Sequence, residues 1–191
     1  MEEIISKYAQ LCRQPSDINE HLPTLKHIAS QCQHITEMGV REVVSTIAFL
    51  AAKPKKLVCY DIHKHPNVDS AIELAQKNGI SMEFHEADVL KVKIKRTDLL
   101  FIDTLHIYSQ LKKELKLHAK QVSKCIVLHD TTTYATLPEP ADWQTPAIMK
   151  NYKKQDKGIW PAVQEFLDAN KKWSILHRFE NNNGLTVLAK A

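Results

Sequence analysis

Short apolar runs that alternate with segments of helical periodicity are the feature that most constrains how this sequence can fold. The runs at residues 57–60, 99–102 and 125–128 are almost continuously apolar, which is typical of strands buried on both faces of a sheet. In the segments between them, apolar residues recur at three- and four-residue spacing, as in amphipathic helices. Strands that alternate with helices predict right-handed crossovers and a mainly parallel sheet covered on both faces.

The same patterns place the individual elements. We predict strands at residues 34–38, 56–60, 81–86, 98–102 and 124–129, and helices at 4–12, 19–32, 43–52, 67–79, 108–122 and 159–172. The C-terminal residues predict a β-hairpin, because 173–180 and 185–190 flank the turn sequence NNNG. The predicted fold class is therefore α/β, with a seven-stranded, mostly parallel sheet, helices on both faces and a C-terminal antiparallel hairpin.

Length and local composition indicate how the chain is organised. The 191 residues suit one domain over 1–191, in which residues 1–33 form N-terminal helices. Residues 131–157 have weak periodicity and contain three prolines. Because long loops inside compact domains are usually functional or disordered, and this one carries aromatic residues, we interpret it as an ordered lid.

Charge and lysine distribution do not indicate a nucleic-acid partner. The formal net charge is only +4, which alone predicts no such binding. Lys112, Lys113, Lys116 and Lys120 share one side of a predicted helix whose other side is rich in leucine. Their simplest interpretation is a solvated helix face.

Cysteine spacing and hydropathy predict the compartment. The four cysteines are scattered without a C-x-x-C pair, so we expect free thiols and neither disulfides nor a zinc ribbon. No apolar run approaches the roughly 20 residues that span a bilayer, and the N-terminus is unlike a signal peptide. We expect a soluble cytoplasmic protein with no membrane partner.

Several segments occur in an order that resembles a known enzyme family. They are EMGVREVVSTIAFL, KLVCYDI, FHEADVL, DLLFIDTLHIYSQLKKEL, CIVLHDTT, GIWPAVQEFL and the final hairpin, together covering residues 35–190. In this series the sequence resembles class I S-adenosylmethionine (SAM)-dependent methyltransferases. Within that superfamily it is most similar to the cephalosporin hydroxylase-like, rhamnosyl and macrocin-type small-molecule O-methyltransferases. The resemblance implies a Rossmann-like fold with SAM as cofactor.

The carboxyl ends of the first three predicted strands carry the candidate cofactor site. Glu37 and Gly39 close the first strand and lead into a helix, an arrangement that holds nucleotide-like ligands in α/β proteins. Asp61 ends the second strand 22 residues after Gly39, the approximate spacing at which a carboxylate binds ribose hydroxyls. The resemblance places Asp88 at the adenine. The alternatives are local: Glu37 capping a turn, Asp61 starting one, and Asp88 capping a helix.

The first loop departs from the family pattern at Val43 and Val44, where relatives commonly have glycine. Glycine there lets the backbone approach the ligand without a Cβ. The two valines would crowd the methionine part of SAM if they faced the ligand, and would be harmless if they pointed into the sheet.

Two carboxylates and two imidazoles follow the fourth and fifth strands. Asp103 and His106 come after one, and His129 and Asp130 after the other. Because these strand ends are neighbours in a parallel sheet, the four side chains should converge and either bind a divalent ion or act as acid and base. We expect catalysis by His106, His129 and Asp130, and a cofactor contact by Asp103. Metal-dependent relatives place magnesium ligands at positions that resemble Asp103, His129 and Asp130, which allows Mg²⁺ or Mn²⁺ here.

The resemblance therefore implies SAM-dependent methyl transfer to a hydroxyl of a small molecule, such as a sugar or sugar-bearing metabolite. The alternative is a degenerate methyltransferase-like fold that acts as a binding or scaffold protein. A nicotinamide-dependent dehydrogenase is disfavoured, because the second and third glycines of its loop are missing and the chain ends in a hairpin. Homo-oligomer formation stays open.

Overall fold

A seven-stranded sheet organises the structure, a computed structural model that describes residues 1–140 and 156–191. Five of the seven strands had been predicted as parallel strands and two as a hairpin. Their bounds are β1 (His34–Met38), β2 (Lys56–Asp61), β3 (Ser81–Glu86), β4 (Thr97–Ile102), β5 (Val122–His129), β6 (Trp173–Phe179) and β7 (Leu185–Lys190).

The helices lie between the strands as the sequence indicates. They are α1 (Glu2–Arg13), α2 (Leu22–Ala29), α3 (Val44–Ala51), α4 (Asn67–Lys77), α5 (Tyr108–His118) and α6 (Trp160–Ala169). The helix predicted at 19–32 is divided, because a short 3₁₀ turn at Asn19–His21 precedes α2.

The strand order across the sheet is β3-β2-β1-β4-β5-β7-β6. Strands β1 to β5 pair in parallel, whereas β7 is antiparallel to both β5 and β6. The predicted Rossmann-like sheet with a C-terminal hairpin is therefore confirmed. From β1 the chain proceeds towards one edge and then crosses to β4, so the crevice between β1 and β4 is the topological switch point where such folds bind ligands.

Two apolar layers hold the helices against the sheet. On one face α1 to α4 pack over a core that includes Ile35, Phe49, Leu57 and Phe101. On the other face α5 and α6 cover a second core around Leu100 and neighbouring side chains. Helices on both faces confirm the predicted layering, and they leave the carboxyl ends of β1 to β5 free to form a site.

Some features depart from the sequence-based expectations or lie beyond them. Helix α3 begins at Val44, one residue after the predicted start. Most of the predicted lid falls on residues 141–155, which lie outside the described residues. Within the described ranges all four cysteines are free. No helix of the described chain is long and apolar enough to cross a membrane.

Candidate active site

The loops after β1 and β4 meet in the switch-point crevice. The Gly39 N–H donates to the Tyr60 carbonyl at 2.9 Å, and the Asp103 N–H donates to the Met38 carbonyl at 2.8 Å. A Cβ at position 39 would lie 1.9 Å from the Asp103 carbonyl oxygen. Gly39 is therefore required because the β1 loop packs directly on the chain that leaves β4, and this contact sets the floor of the crevice.

The loop at 39–43 takes an uncommon backbone path. Gly39, Arg41 and Val43 have φ values of +84°, +42° and +66°. This left-handed conformation suits glycine, and it is a genuine outlier for a β-branched residue such as valine. Each non-glycine residue there costs about 1–2 kcal/mol. Such strain persists only where the surrounding structure enforces it, and it is concentrated at functional sites.

The side chains of Val43 and Val44 point away from the crevice. Val43 is 1% exposed and belongs to the core under α1 to α4, and Val44 packs against the same core. Of the two expectations for these valines, the harmless orientation fits this packing. Arg41 and Glu42 are exposed in this loop, and Arg41 pairs with Asp17 at 2.8 Å.

Asp61 lies at the carboxyl end of β2 and holds this loop in place. Its Oδ2 accepts hydrogen bonds from the backbone N–H groups of Val40 at 2.7 Å and Arg41 at 3.0 Å. Its Oδ1 accepts one from the His63 N–H at 3.1 Å. A carboxylate offers about four acceptor positions, so Asp61 retains capacity for a further donor at the mouth of the crevice.

Glu37 is fully buried and its carboxyl group is held by its neighbours. Ser45 donates to Oε1 at 2.6 Å, while Thr46 and the Cys59 thiol donate to Oε2 at 2.8 and 3.1 Å. Burial raises the pKa of Glu37 to about 7, although these hydrogen bonds oppose the shift. The carboxyl thus fixes α3 against β1 and β2, and it orders the loop between them.

Asp88 forms a local turn at the next strand end. Its Oδ1 accepts a hydrogen bond from the Leu90 N–H at 2.9 Å, and its Oδ2 pairs with Lys91 at 3.1 Å. No helix begins at this position, so the local role of Asp88 is to hold a turn and not to cap a helix. The half-buried side chain still lies on the ligand-binding edge of the sheet.

Asp103, His129 and Asp130 converge as predicted. His129 Nδ1 lies 3.2 Å from Asp103 Oδ1 and 3.5 Å from Asp130 Oδ2. The other ring nitrogen, Nε2, faces the backbone carbonyls of Asp17 at 3.1 Å and Asn182 at 3.4 Å. The imidazole is therefore clamped between two carboxylates and the chain that covers the sheet edge.

His106 joins the same cluster from the loop after β4. Its Nε2 lies 3.2 Å from both Asp103 Oδ1 and Asp130 Oδ2, and its Nδ1 lies 2.9 Å from Glu139 Oε2. The Tyr134 ring stacks on the imidazole at a centroid distance of 5.2 Å. Both nitrogens of His106 thus face carboxylate oxygens, which requires an N–H on each.

The imidazoles and carboxylates in the cluster stabilise each other's charged forms. Burial disfavours the imidazolium form, but hydrogen bonds to Asp103 and Glu139 raise the pKa of His106 to about 10. Burial likewise opposes the charge on His129, and Asp103 nevertheless raises its pKa. Burial also opposes ionisation of Asp103, yet the facing imidazoles hold its pKa well below the usual range. Burial raises the pKa of Asp130 despite both cations.

The cluster also has the geometry of a metal site. One ligand atom from each of Asp103, His129 and Asp130 lies within 4.8 Å of the others. Asp130 Oδ1 is buried and has no hydrogen-bond partner among the described residues. Two carboxylates and an imidazole suit Mn²⁺ or another transition ion better than Mg²⁺. A carbonyl facing the second ring nitrogen is the usual support for a ligating histidine, so these residues fit a divalent ion.

Four residues of the site were missed by the sequence analysis. Arg41 lies two residues after Gly39. Its left-handed backbone is of the kind that glycine usually adopts, so the spacing from Gly39 could have marked this position. Glu139 and Asp17 come from segments without regular periodicity, and no local signal marks them. Tyr134 was noted only as an aromatic residue of the lid.

Solved structures with the same architecture come from methyltransferases. PaMTH1 of Podospora anserina, bound to S-adenosylhomocysteine (SAH), has a TM-score of 0.62 at 14% identity, covering 100% of this chain and 88% of that one. TomG of Streptomyces achromogenes, an O-methyltransferase of tomaymycin synthesis in complex with SAM, has a TM-score of 0.61 at 16% identity, covering 100% and 91%. The chain has a methyltransferase fold.

A third similar structure is the Bacillus cereus O-methyltransferase with SAH, at a TM-score of 0.59 and 14% identity over 100% of this chain and 90% of that one. No protein-family model matches the sequence. No curated protein matches it either. The likeness therefore lies in the fold.

Proposed function

We propose that this protein transfers a methyl group from SAM to a hydroxyl of a small molecule. The observation that carries the proposal is the loop at 39–43, which keeps left-handed backbone at three alternate positions although two of them are not glycine. Strained backbone of this kind, at a topological switch point and beside a cluster of buried ionisable groups, marks a ligand and reaction site.

The residues of the crevice suit the parts of SAM. The N–H groups in the first turn of α3 would face the methionine portion, Asp61 would accept hydrogen bonds from ribose hydroxyls, and Asp88 would border the adenine. Glu37 acts through α3, which it holds in position. When bound, SAM supplies an electrophilic methyl group. The protein must align the acceptor oxygen with it and exclude water.

Removal of the acceptor proton falls to Asp130 in this arrangement. His106 has an acceptor at each ring nitrogen and a pKa of about 10, so it carries two protons at neutral pH and cannot accept a third. His129 likewise has an oxygen acceptor facing each ring nitrogen. Asp130 combines a raised pKa with a carboxylate oxygen, Oδ1, that lacks a protein partner among the described residues. A general base needs these two properties.

A divalent ion on Asp103, His129 and Asp130 is compatible with this proposal. It would lower the pKa of the acceptor hydroxyl when bound. His129 would then present a lone pair at Nδ1 and keep its Nε2–H on the Asp17 carbonyl. The three residues would hold the ion and orient the hydroxyl towards the crevice.

The same polar groups support a polyhydroxyl acceptor. Carboxylates of Asp103, Asp130 and Glu139 border the site, and such oxygens accept hydrogen bonds from polyhydroxyl ligands. A sugar or a sugar-bearing metabolite therefore fits better than an apolar phenol. The free cysteines are consistent with the reduced, cytoplasmic setting expected for such an enzyme.

The test is turnover of Asp130→Asn, followed as SAH formation with a panel of hydroxyl-bearing sugars and sugar metabolites. Asparagine tolerates the left-handed backbone of position 130, where φ is +58°, so the variant should fold. We expect kcat to fall by about 10²–10⁴, with SAH affinity retained. The matched control is Asp69→Asn, an exposed carboxylate of α4, which should leave kcat unchanged.

The chelator EDTA separates the two routes for the proton. Loss of wild-type turnover on chelation, restored by Mn²⁺, would assign the metal route, whereas insensitivity to EDTA would assign Asp130 as a metal-free base. Full activity of Asp130→Asn would contradict both.

One observation favours the alternative of a methyltransferase-like fold without catalysis. Both oxygens of Asp61 already accept hydrogen bonds from backbone N–H groups. A ribose hydroxyl would therefore have to share these oxygens with the loop. This alternative predicts no measurable SAH binding by the wild-type protein. The enzyme proposal predicts binding that depends on Asp61.

A further inference from the structure

A basic cavity lies at the opposite edge of the sheet from the candidate active site. It has a volume of about 640 Å³ and lies between α5, α6 and the two strands of the C-terminal hairpin, β6 and β7. Six lysines line it: Lys112, Lys116, Lys120, Lys171, Lys172 and Lys190. They come from separate parts of the sequence, so the fold brings them together.

The positive charge of this cavity is only partly neutralised. Lys112 pairs with Glu165 at 2.8 Å, and Lys171 pairs with Asp168 outside the cavity at 3.3 Å. Within residues 1–140 and 156–191, the side-chain ammonium groups of the lysines at 116, 120 and 172 have no ion-pair or hydrogen-bond partner. Glu165 is the one acidic residue that lines the cavity within that part of the chain. Six lysines against Glu165 and the nearby Asp168 leave an excess of four positive charges.

Helix-end stabilisation explains only part of this arrangement. Lysines near the last turn of α5 interact favourably with the helix dipole, and this interaction accounts for Lys116 and Lys120. Lys171 and Lys172 follow the C-terminus of α6, where the same effect applies. It does not account for Lys190, whose ammonium group donates to the Val122 carbonyl at 2.9 Å and lies over the Trp173 ring at 5.5 Å. Holding like charges around one concavity is unfavourable unless an anion shares it.

The shape and floor of the cavity indicate the size of the ligand. Its floor is apolar and includes Leu115, Phe166 and Trp173. A volume of this order is typical of small-molecule sites. The two aromatic rings are at most 8% exposed, so they offer no free faces on which the bases of a single-stranded nucleic acid could stack.

We propose that this cavity binds a small molecule that carries several clustered phosphate groups. Lysine ammonium groups are compact point charges that suit phosphate clusters without a fixed orientation, in contrast to the planar fork of arginine. The cavity lining contains lysine and no arginine among the described residues.

The proposed site is separate from the crevice. Strand β5 connects the two, since Val122 at its start accepts the Lys190 bond and His129 at its end belongs to the carboxylate cluster. The rise of a strand places these two residues about 23 Å apart. The inference therefore stands independently of the proposed methyl transfer.

The experiment is calorimetric titration of inorganic tripolyphosphate into the wild-type protein and two charge-matched double variants at low ionic strength. Lys116→Gln with Lys172→Gln removes two unpaired charges from the cavity. Lys77→Gln with Lys113→Gln removes two exposed charges that do not line it. We expect one tripolyphosphate per wild-type chain, about five- to thirtyfold weaker binding by the cavity variant, and unchanged binding by the control. Thermal unfolding of each variant verifies the fold.

Three results would overturn the proposal. The first is no binding of tripolyphosphate by the folded wild-type protein. The second is an equal loss in both double variants, which would indicate a general effect of net charge. The third is tighter binding of a single-stranded RNA than of tripolyphosphate, with the RNA affinity lost in the cavity variant, because the ligand would then be a polynucleotide.

Discussion

Glu37 places an ionisable group in the core, and its burial has a consequence for stability. The pKa of Glu37 is raised from an ordinary value of 4.5 to about 7, so the folded protein binds this proton more tightly than the unfolded chain does. Between these two pH values the folded state holds more protons, and the free energy of unfolding falls as pH rises. The contribution is complete below pH 4.5 and is lost as pH rises through about 7.

We expect Glu37→Gln to remove this part of the pH dependence. A shift of this size corresponds to roughly 3 kcal/mol, measured as the difference between wild type and variant in denaturant unfolding from pH 4.5 to pH 7. The control is Glu73→Gln, an exposed residue of α4. An identical pH slope for Glu37→Gln and wild type would show that the buried carboxyl does not titrate as described.

The convergence of individual side chains was predictable only where strand order decides it. Asp103, His129 and Asp130 directly follow neighbouring parallel strands, so their proximity follows from the topology. Glu139 and Asp17 reach the same cluster from irregular segments, and their contacts depend on how those segments cross the sheet edge. That path is set by tertiary packing, which leaves no periodic trace in the sequence.

At the scale of elements, the contact between the β1 loop and the chain after β4 should control stability. Gly39→Ala would place a Cβ 1.9 Å from the Asp103 carbonyl oxygen at a φ of +84°. Neither backbone segment can move without breaking strand pairing, so we expect a loss on the order of 3 kcal/mol or more.

Gly79→Ala is the matched control for this substitution. Gly79 also has a positive φ, +71°, but a Cβ there meets nothing within 4 Å. Only the backbone strain remains, and the loss should be about 1 kcal/mol. Denaturant unfolding of both variants measures the difference. Equal losses would mean that the two loops are not in tight contact.

The strands and helices were predictable because their signals are local. Continuous apolar runs predict buried parallel strands, and the NNNG turn predicts the hairpin. The start of α3 was displaced by one residue, because Val43 takes a left-handed conformation that its β-branched side chain disfavours. Hydrogen bonds from the loop to Asp61 help to enforce that conformation, and sequence patterns do not encode such tertiary constraints.

At the scale of the whole molecule, charge is divided between the two edges of the sheet. The carboxyl edge carries carboxylates that are paired with imidazoles, such as Asp103 and Asp130 with His106, whereas the cavity at the other edge gathers six lysines. The sequence predicted exposed lysines on α5 and could not predict that lysines near β6 and β7 would join three of them. Such convergence depends on the strand order β5-β7-β6, and it gives the molecule two chemically distinct surfaces.

The central claim is that the crevice between β1 and β4 binds SAM, and SAH affinity measured by isothermal titration tests it most directly. We expect saturable binding by the wild-type protein and a loss of about ten- to a hundredfold in Asp61→Ala, which removes a charged acceptor and releases the loop at 39–43. The control, Asp69→Ala, should bind as the wild type does. Absence of SAH binding by the folded wild-type protein, or equal affinity in Asp61→Ala, would contradict the account.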